Sequence, residues 1–236
     1  MTKILHIDTS NEFCSVALSH NNELIGLRET NEKNAHSRVV TIFSEEVLKE
    51  NNLKLTNIDA VAVSEGPGSY TGLRIGVSAA KGFCYALNKP LIAVGTLKAM
   101  VTGIIEKFKS EREIEGNMIF CPMIDARRME VYDALFDANG NEIRETKAEI
   151  IDENSFQELL KKHQIIFSGN GSEKCETLLS QNQNAIFQGD FTTSAKFMIP
   201  TAFEKFKKKQ FEDVAYFEPF YLKSFIAGLP NVKGLR

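Results

Sequence analysis

The chain has no C-x-x-C pair, no long apolar run and no surplus of positive charge. Cys14, Cys84, Cys121 and Cys175 are scattered through apolar segments without metal-ligand spacing. They read as reduced core thiols of a cytoplasmic protein rather than as a disulfide frame or a zinc site. No stretch approaches the roughly 18 apolar residues of a membrane span, and the segment after Met1-Thr2-Lys3 passes straight into strand pattern, so a soluble, cytoplasmic protein without membrane attachment is expected. The formal net charge of −3 over 236 residues leaves no general nucleic-acid footprint. That length buries a good core, as one large domain or two small ones.

What is present is an order of elements that occurs twice. Strand patterns over 4–8, 13–19 and 23–29, the second and third joined at Asn21-Asn22, lead into a helix over 37–50, a strand over 60–63, a helix over 71–87, a strand over 91–94 and a helix over 96–109. The scheme then restarts. Strands over 118–125, 131–136 and 142–147, with a hairpin signal at Asn139-Gly140, precede a helix over 155–163, a strand over 165–167, a helix after Gly171, a strand near 185–187 and a helix over 194–208. Ile7-Asp8 and Ile124-Asp125 close the two first strands. Two lobes of one α/β architecture are predicted, 1–109 and 110–236, each a mixed sheet flanked by helices. That is the layout of the actin-like, ribonuclease-H-like (ASKHA) superfamily.

Between the strand over 60–63 and the next helix runs Gly66-Pro67-Gly68-Ser69-Tyr70-Thr71-Gly72. Glycines there permit positive φ and close approach of a backbone or an anion, and Ser69 or Thr71 supplies a helix cap. Gly66, Gly68, Ser69 and Thr71 are therefore candidate anion-site residues. The Walker pattern is nevertheless missing, because Leu73 and Arg74 follow Gly72, and the Rossmann spacing fails as well. A tight structural turn is the stronger reading. Asp8 and Asp125 stand where the superfamily places cleft carboxylates, but Thr9-Ser10 and Ala126-Arg127 follow them instead of glycine. Turn capping is the favoured role of both. Ser69 and Ser10 have no identifiable histidine partner for nucleophilic chemistry.

The two helices of the first half are apolar over a wide arc. Val39, Val40, Ile42, Phe43, Val47 and Leu48 exceed what one sheet contact needs. Gly72, Gly76 and Ala80 recur every four residues as a stripe that lets another helix come close. Val39, Phe43, Val47, Gly72, Gly76 and Ala80 are thus candidate partner contacts, the alternative being a third element of the same chain. Lys205-Phe206-Lys207-Lys208-Lys209 reads as a solvated helix end, residues 231–236 as a mobile tail, and Arg127-Arg128 either orients its turn or contacts a ligand.

Ile7-Asp8-Thr9-Ser10, His36-Ser37, the Gly66–Gly76 run, Asp125-Ala126-Arg127-Arg128 with Glu130-Val131-Tyr132, and Pro219-Phe220-Tyr221-Leu222 together resemble the TsaB (YeaZ) family of tRNA threonylcarbamoyladenosine synthesis. The resemblance spans nearly the whole chain. It implies a non-catalytic relative of the transferase TsaD, without cofactor or metal, that forms a paired-helix heterodimer with TsaD, works with the ATPase TsaE, forms a homodimer through the same patch when alone, and meets tRNA at most indirectly. TsaD-type enzymes hold a metal with H-x-x-x-H on a helix; here Val40 stands where the second histidine would be. A different class, an ATP-dependent phosphotransferase or a metal-dependent transferase using the cleft, stays open from the residues.

Overall fold

The computed structural model describes residues 1–114 and 117–223 of the chain; the expected tail over 231–236 lies outside them. The first half forms β1 (Lys3–Asp8), β2 (Cys14–His20), β3 (Glu23–Thr30), α1 (His36–Glu50), β4 (Ala60–Gly66), α2 (Tyr70–Leu87), β5 (Leu91–Gly95) and α3 (Thr96–Glu111). The second half repeats the plan with β6 (Ile119–Asp125), β7 (Glu130–Phe136), β8 (Glu142–Ile150), α4 (Gln157–Leu160), β9 (Ile165–Ser168), α5 (Glu176–Leu179), β10 (Ala185–Gln188) and α6 (Ile199–Lys207). The sheets run β3-β2-β1-β4-β5 and β8-β7-β6-β9-β10. In each, the first strand is antiparallel to the second and parallel to the fourth. The duplicated, actin-like arrangement is therefore present strand for strand.

The pattern of side chains explains the layers. β1 alternates Leu5 and Ile7 toward α1 and α2, where they meet Val40, Val47, Leu48, Val77 and Ala80. Ile4 faces the other way, into a layer with Ala17, Ala62 and Val94. That second layer is closed by residues from the far end of the chain, Ala195 and Met198 of a 3-10 turn and Ala202 of α6. The first half returns the exchange, since Leu97, Met100, Ile104 and Phe108 of α3 pack on Phe120, Phe136 and Ile166 of the second sheet. The division of the chain at 109/110 separates the sheets, but α6 covers the first sheet and α3 packs between the two. The central strands need both faces covered to bury runs this apolar.

The outer face of the second sheet departs from the expected helices. Where 155–163 predicts a full helix, only the four residues of α4 are helical, and the segment after Gly171 is a 3-10 turn followed by the four residues of α5. Phe156, Leu160, Cys175 and Leu179 still fill this layer, against Cys121, Met123 and Phe167. No helix of the described residues is long and apolar enough to cross a membrane. All four cysteines are free and buried.

Candidate functional site

The glycine run is built for contact with its own chain. Ser69 caps α2, its Oγ accepting from Gly72 N at 3.2 Å, while its own N–H donates to Ser10 O at 2.6 Å. A Cβ on Gly68 would lie 2.3 Å from Ser10 O and one on Gly72 would lie 2.1 Å from Thr9 O, so both glycines exist to let α2 start against the turn after β1. Thr9 Oγ1 locks that contact by donating to Gly72 O at 2.7 Å. The Ser69 and Gly72 N–H groups are thus committed within the chain, while Gly68, Ser69, Tyr70 and Thr71 also line the cleft between the lobes. Gly66, Gly68 and Ser69 shape a structural turn, and Thr71 is an exposed residue at the start of α2.

Asp8 lies beneath this turn rather than in a cleft. It is buried and accepts from Ser10 N at 3.0 Å, Ser10 Oγ at 2.7 Å and Ser64 Oγ at 2.7 Å. Its expected place as a vestigial cleft carboxylate is corrected by that burial. Asp125 does face the cleft, where it accepts from Arg127 N at 2.9 Å and pairs with Lys174.

The small-residue stripe also turns inward. A Cβ on Gly76 would sit 2.3 Å from Thr9 Oγ1, and Ala80, Val47 and Val39 are buried within the chain. Of Val39, Phe43, Val47, Gly72, Gly76 and Ala80, only half-buried Phe43 reaches the outside. The correction has a simple cause: a four-residue repeat reports close approach, and the chain's own β1–β2 turn is what approaches. The outward face of α1 and α2, which lie side by side, carries a second repeat of the same kind. Ser78, Gly82 and Ala86 are exposed, a Cβ on Gly82 would meet nothing within 4 Å, and Ile42 of α1 and Tyr85 of α2 are 47% and 86% exposed. Their spacing was readable in the sequence; their outward direction was not.

Between the lobes opens a cleft of about 1530 Å³. Asn11, Lys33 and His36 line it from the first lobe, and Arg127, Arg128 and Asn170 from the second. His36 Nε2 is 2.9 Å from Asn11 O. The Pro219-Phe220-Tyr221-Leu222 motif returns here from α6. Phe220 N donates to Glu65 O at 2.7 Å, the Tyr221 ring lies 4.9 Å from that of Tyr70, and Arg74 Nε donates to Tyr221 Oη at 3.2 Å. Gly66 takes φ +122° at this crossing, where a Cβ would come within 2.6 Å of Phe220 O. Lys223 then pairs with Glu130 of β7, so the segment straps one lobe to the other.

The titratable groups inside the protein are structural. Burial pushes the thiols of Cys14 and Cys84 up to about 12 and that of Cys175 up to about 11, far from a reactive thiolate. Burial holds His6 down to about 3, with Nε2 2.8 Å from Ser19 Oγ. Asp133 is raised to about 7, chiefly by burial and against the pull of its ion partner Arg144. Among the described residues no three His, Cys, Asp or Glu side chains group closely enough to hold a metal.

The family profile for TsaD, tRNA N6-adenosine threonylcarbamoyltransferase, matches residues 20–224. The tRNA threonylcarbamoyladenosine biosynthesis protein TsaB of Escherichia coli is 31% identical over 233 residues, covering 95% of this chain and 96% of that protein. A tRNA N6-adenosine threonylcarbamoyltransferase of Bacillus thuringiensis is 48% identical over 59 residues only, 25% of this chain and 17% of the transferase. Among solved structures, YeaZ from Pseudomonas aeruginosa superposes with a TM-score of 0.79 at 22% identity over 94% of this chain and 100% of that one, which shows a shared fold.

Proposed function

The chain belongs to the TsaB (YeaZ) family of tRNA threonylcarbamoyladenosine biosynthesis proteins, and on that premise we propose that it is the non-catalytic subunit that binds and activates the transferase TsaD in the cytoplasm. The single observation that carries this reading is the outward face of α1 and α2. Helix α2 presents Ser78, Gly82, Ala86 and Tyr85 to the outside and its neighbour α1 presents Ile42 and half-buried Phe43, so a helix pair of the partner can approach to short interaxial distance and bury these apolar groups. A second copy of the chain uses the same face when TsaD is absent, and TsaE joins the assembled pair. The local chemistry agrees: the Ser69 and Gly72 N–H groups are committed within the chain, Asp8 is sealed, and the buried thiols are inert. Those features speak against a phosphotransferase or metal-dependent transferase in the cleft.

The reading is checked by co-elution with the TsaD subunit of the same organism. Gly82→Leu adds bulk to the exposed face without touching the core, and is expected to abolish co-elution while the melting temperature stays within about 2 °C of wild type. Retained co-elution would remove this surface from the interface.

A further inference from the structure

The turn joining β6 to β7 is strained in a way that its sequence could have avoided. Arg127 and Arg128 take φ of 72° and 52°, left-handed values that crowd any Cβ and that glycine adopts freely. The turn is fixed from its backbone, with Ala126 N donating to Glu130 O at 3.0 Å and Glu130 N to Arg127 O at 3.2 Å. Nothing is asked of the arginine side chains there. Among the described residues neither guanidinium makes an ion pair or hydrogen bond, and both are exposed on the cleft wall. Strain kept at an exposed turn points to what its side chains do.

The charge around them has one sign in excess. The cleft is lined by Lys33, Arg127, Arg128 and Lys223 against Glu12, Asp125 and Glu130. Asp125 is neutralised from behind by Lys174 and Glu130 by Lys223, which leaves Lys33, Arg127 and Arg128 against Glu12. In a chain of net charge −3, this is a local positive field between two walls that focus it. At about 1530 Å³ the space exceeds the roughly 300–1,000 Å³ of a small-molecule pocket, and Phe220 and Tyr221 stand on its rim where bases could stack.

We propose that this wall binds the phosphodiester backbone of an RNA strand, with Arg127 and Arg128 each gripping a phosphate through paired N–H donors. The assignment rests on the reading that the chain works in tRNA modification, and it adds a direct RNA contact where the family resemblance implies an indirect one. The phosphates are held by side chains of the second lobe, not by the backbone of the glycine run.

The experiment measures binding of an unmodified tRNA transcript to the full chain, alone and with the TsaD subunit, across a salt series. Arg127→Gly and Arg128→Gly are compared with wild type singly and together, because glycine keeps the left-handed backbone and removes only the side chain. The double variant is expected to melt no lower than wild type, to co-elute with TsaD as before, and to lose at least tenfold in RNA affinity at low salt. The slope of log affinity against log salt should shrink by about one for each arginine. Unchanged affinity and slope, or no RNA binding by wild type in either setting, would overturn the proposal. So would a lowered melting temperature, which would mean that the side chains serve the fold. Inorganic triphosphate supplies the remaining arm: arginine-dependent binding of triphosphate with RNA binding intact would assign the site to a small ligand instead. Loss of co-elution by the arginine variants would also overturn the proposal, because it would place the arginines at the contact with TsaD.

Discussion

Replacing Gly72 by Ala should unfold the protein at a lower temperature, although alanine is the better helix former. The new methyl would sit 2.1 Å from Thr9 O, a backbone atom held in the turn beneath α2, so the helix start must lift. Overpacking of a tight contact costs about 1–3 kcal/mol. Lifting also breaks the bond from Thr9 Oγ1 to Gly72 O, 2.7 Å in the native chain, for about 1 kcal/mol more. The gain in helix propensity returns about 1 kcal/mol. The balance is a loss of about 1–3 kcal/mol, a fall in Tm of roughly 3–10 °C for a chain of this size. Gly76→Ala meets the buried Thr9 hydroxyl at 2.3 Å, which can yield only by giving up its bond to Gly72 O, and should destabilise as well. Gly82→Ala meets nothing within 4 Å and should raise stability by about 0.5–1 kcal/mol. Thermal melting followed by circular dichroism orders the three. A Gly72→Ala chain as stable as wild type, or a destabilised Gly82→Ala chain, would refute the inward assignment of the stripe.

Two pH effects of opposite sign follow from buried groups. Asp133, at about 7 in the folded chain against about 4 unfolded, keeps a proton that the unfolded chain has released, so its contribution declines as pH rises from about 4 to about 7. The Tm of wild type should therefore fall relative to that of Asp133→Asn between pH 5 and 7.5; parallel profiles would show the carboxyl already ionised. His6, held near 3, refuses a proton that the unfolded chain accepts below about 6.5, which costs about 2 kcal/mol by pH 5. His6→Gln should lose less Tm than wild type on acidification from pH 7 to 5, and an equal loss would place the acid sensitivity elsewhere.

The sheets were legible because their signals are local. Asn21 and Gly140 take the positive φ that a hairpin turn demands, and the duplicated strand order follows from three alternating runs and two buried ones in each half. Helix faces were only half legible. Small and apolar residues at helical spacing say that a face is covered without saying by what, so the pattern alone does not tell the inward stripe Gly72, Gly76, Ala80 from its outward twin Ser78, Gly82, Ala86. The closing of the first sheet by α6 and the return of Phe220 to the glycine run join residues more than 100 positions apart, and no periodic pattern encodes such contacts. The left-handed arginines were invisible for another reason, since only their backbone angles set them apart from any polar turn.

The central claim is that the chain activates a transferase through its outward helix face and performs no transfer itself. Formation of threonylcarbamoyladenosine on an unmodified tRNA transcript, with an activated threonylcarbamoyl donor in every arm, tests it most directly, with TsaD and TsaE of the same organism supplied with wild-type chain, with Gly82→Leu or with neither, and with the chain also assayed alone. Product is expected only when TsaD is accompanied by the wild-type chain. Product from the chain alone, or equal product from TsaD and TsaE without it, would contradict the account.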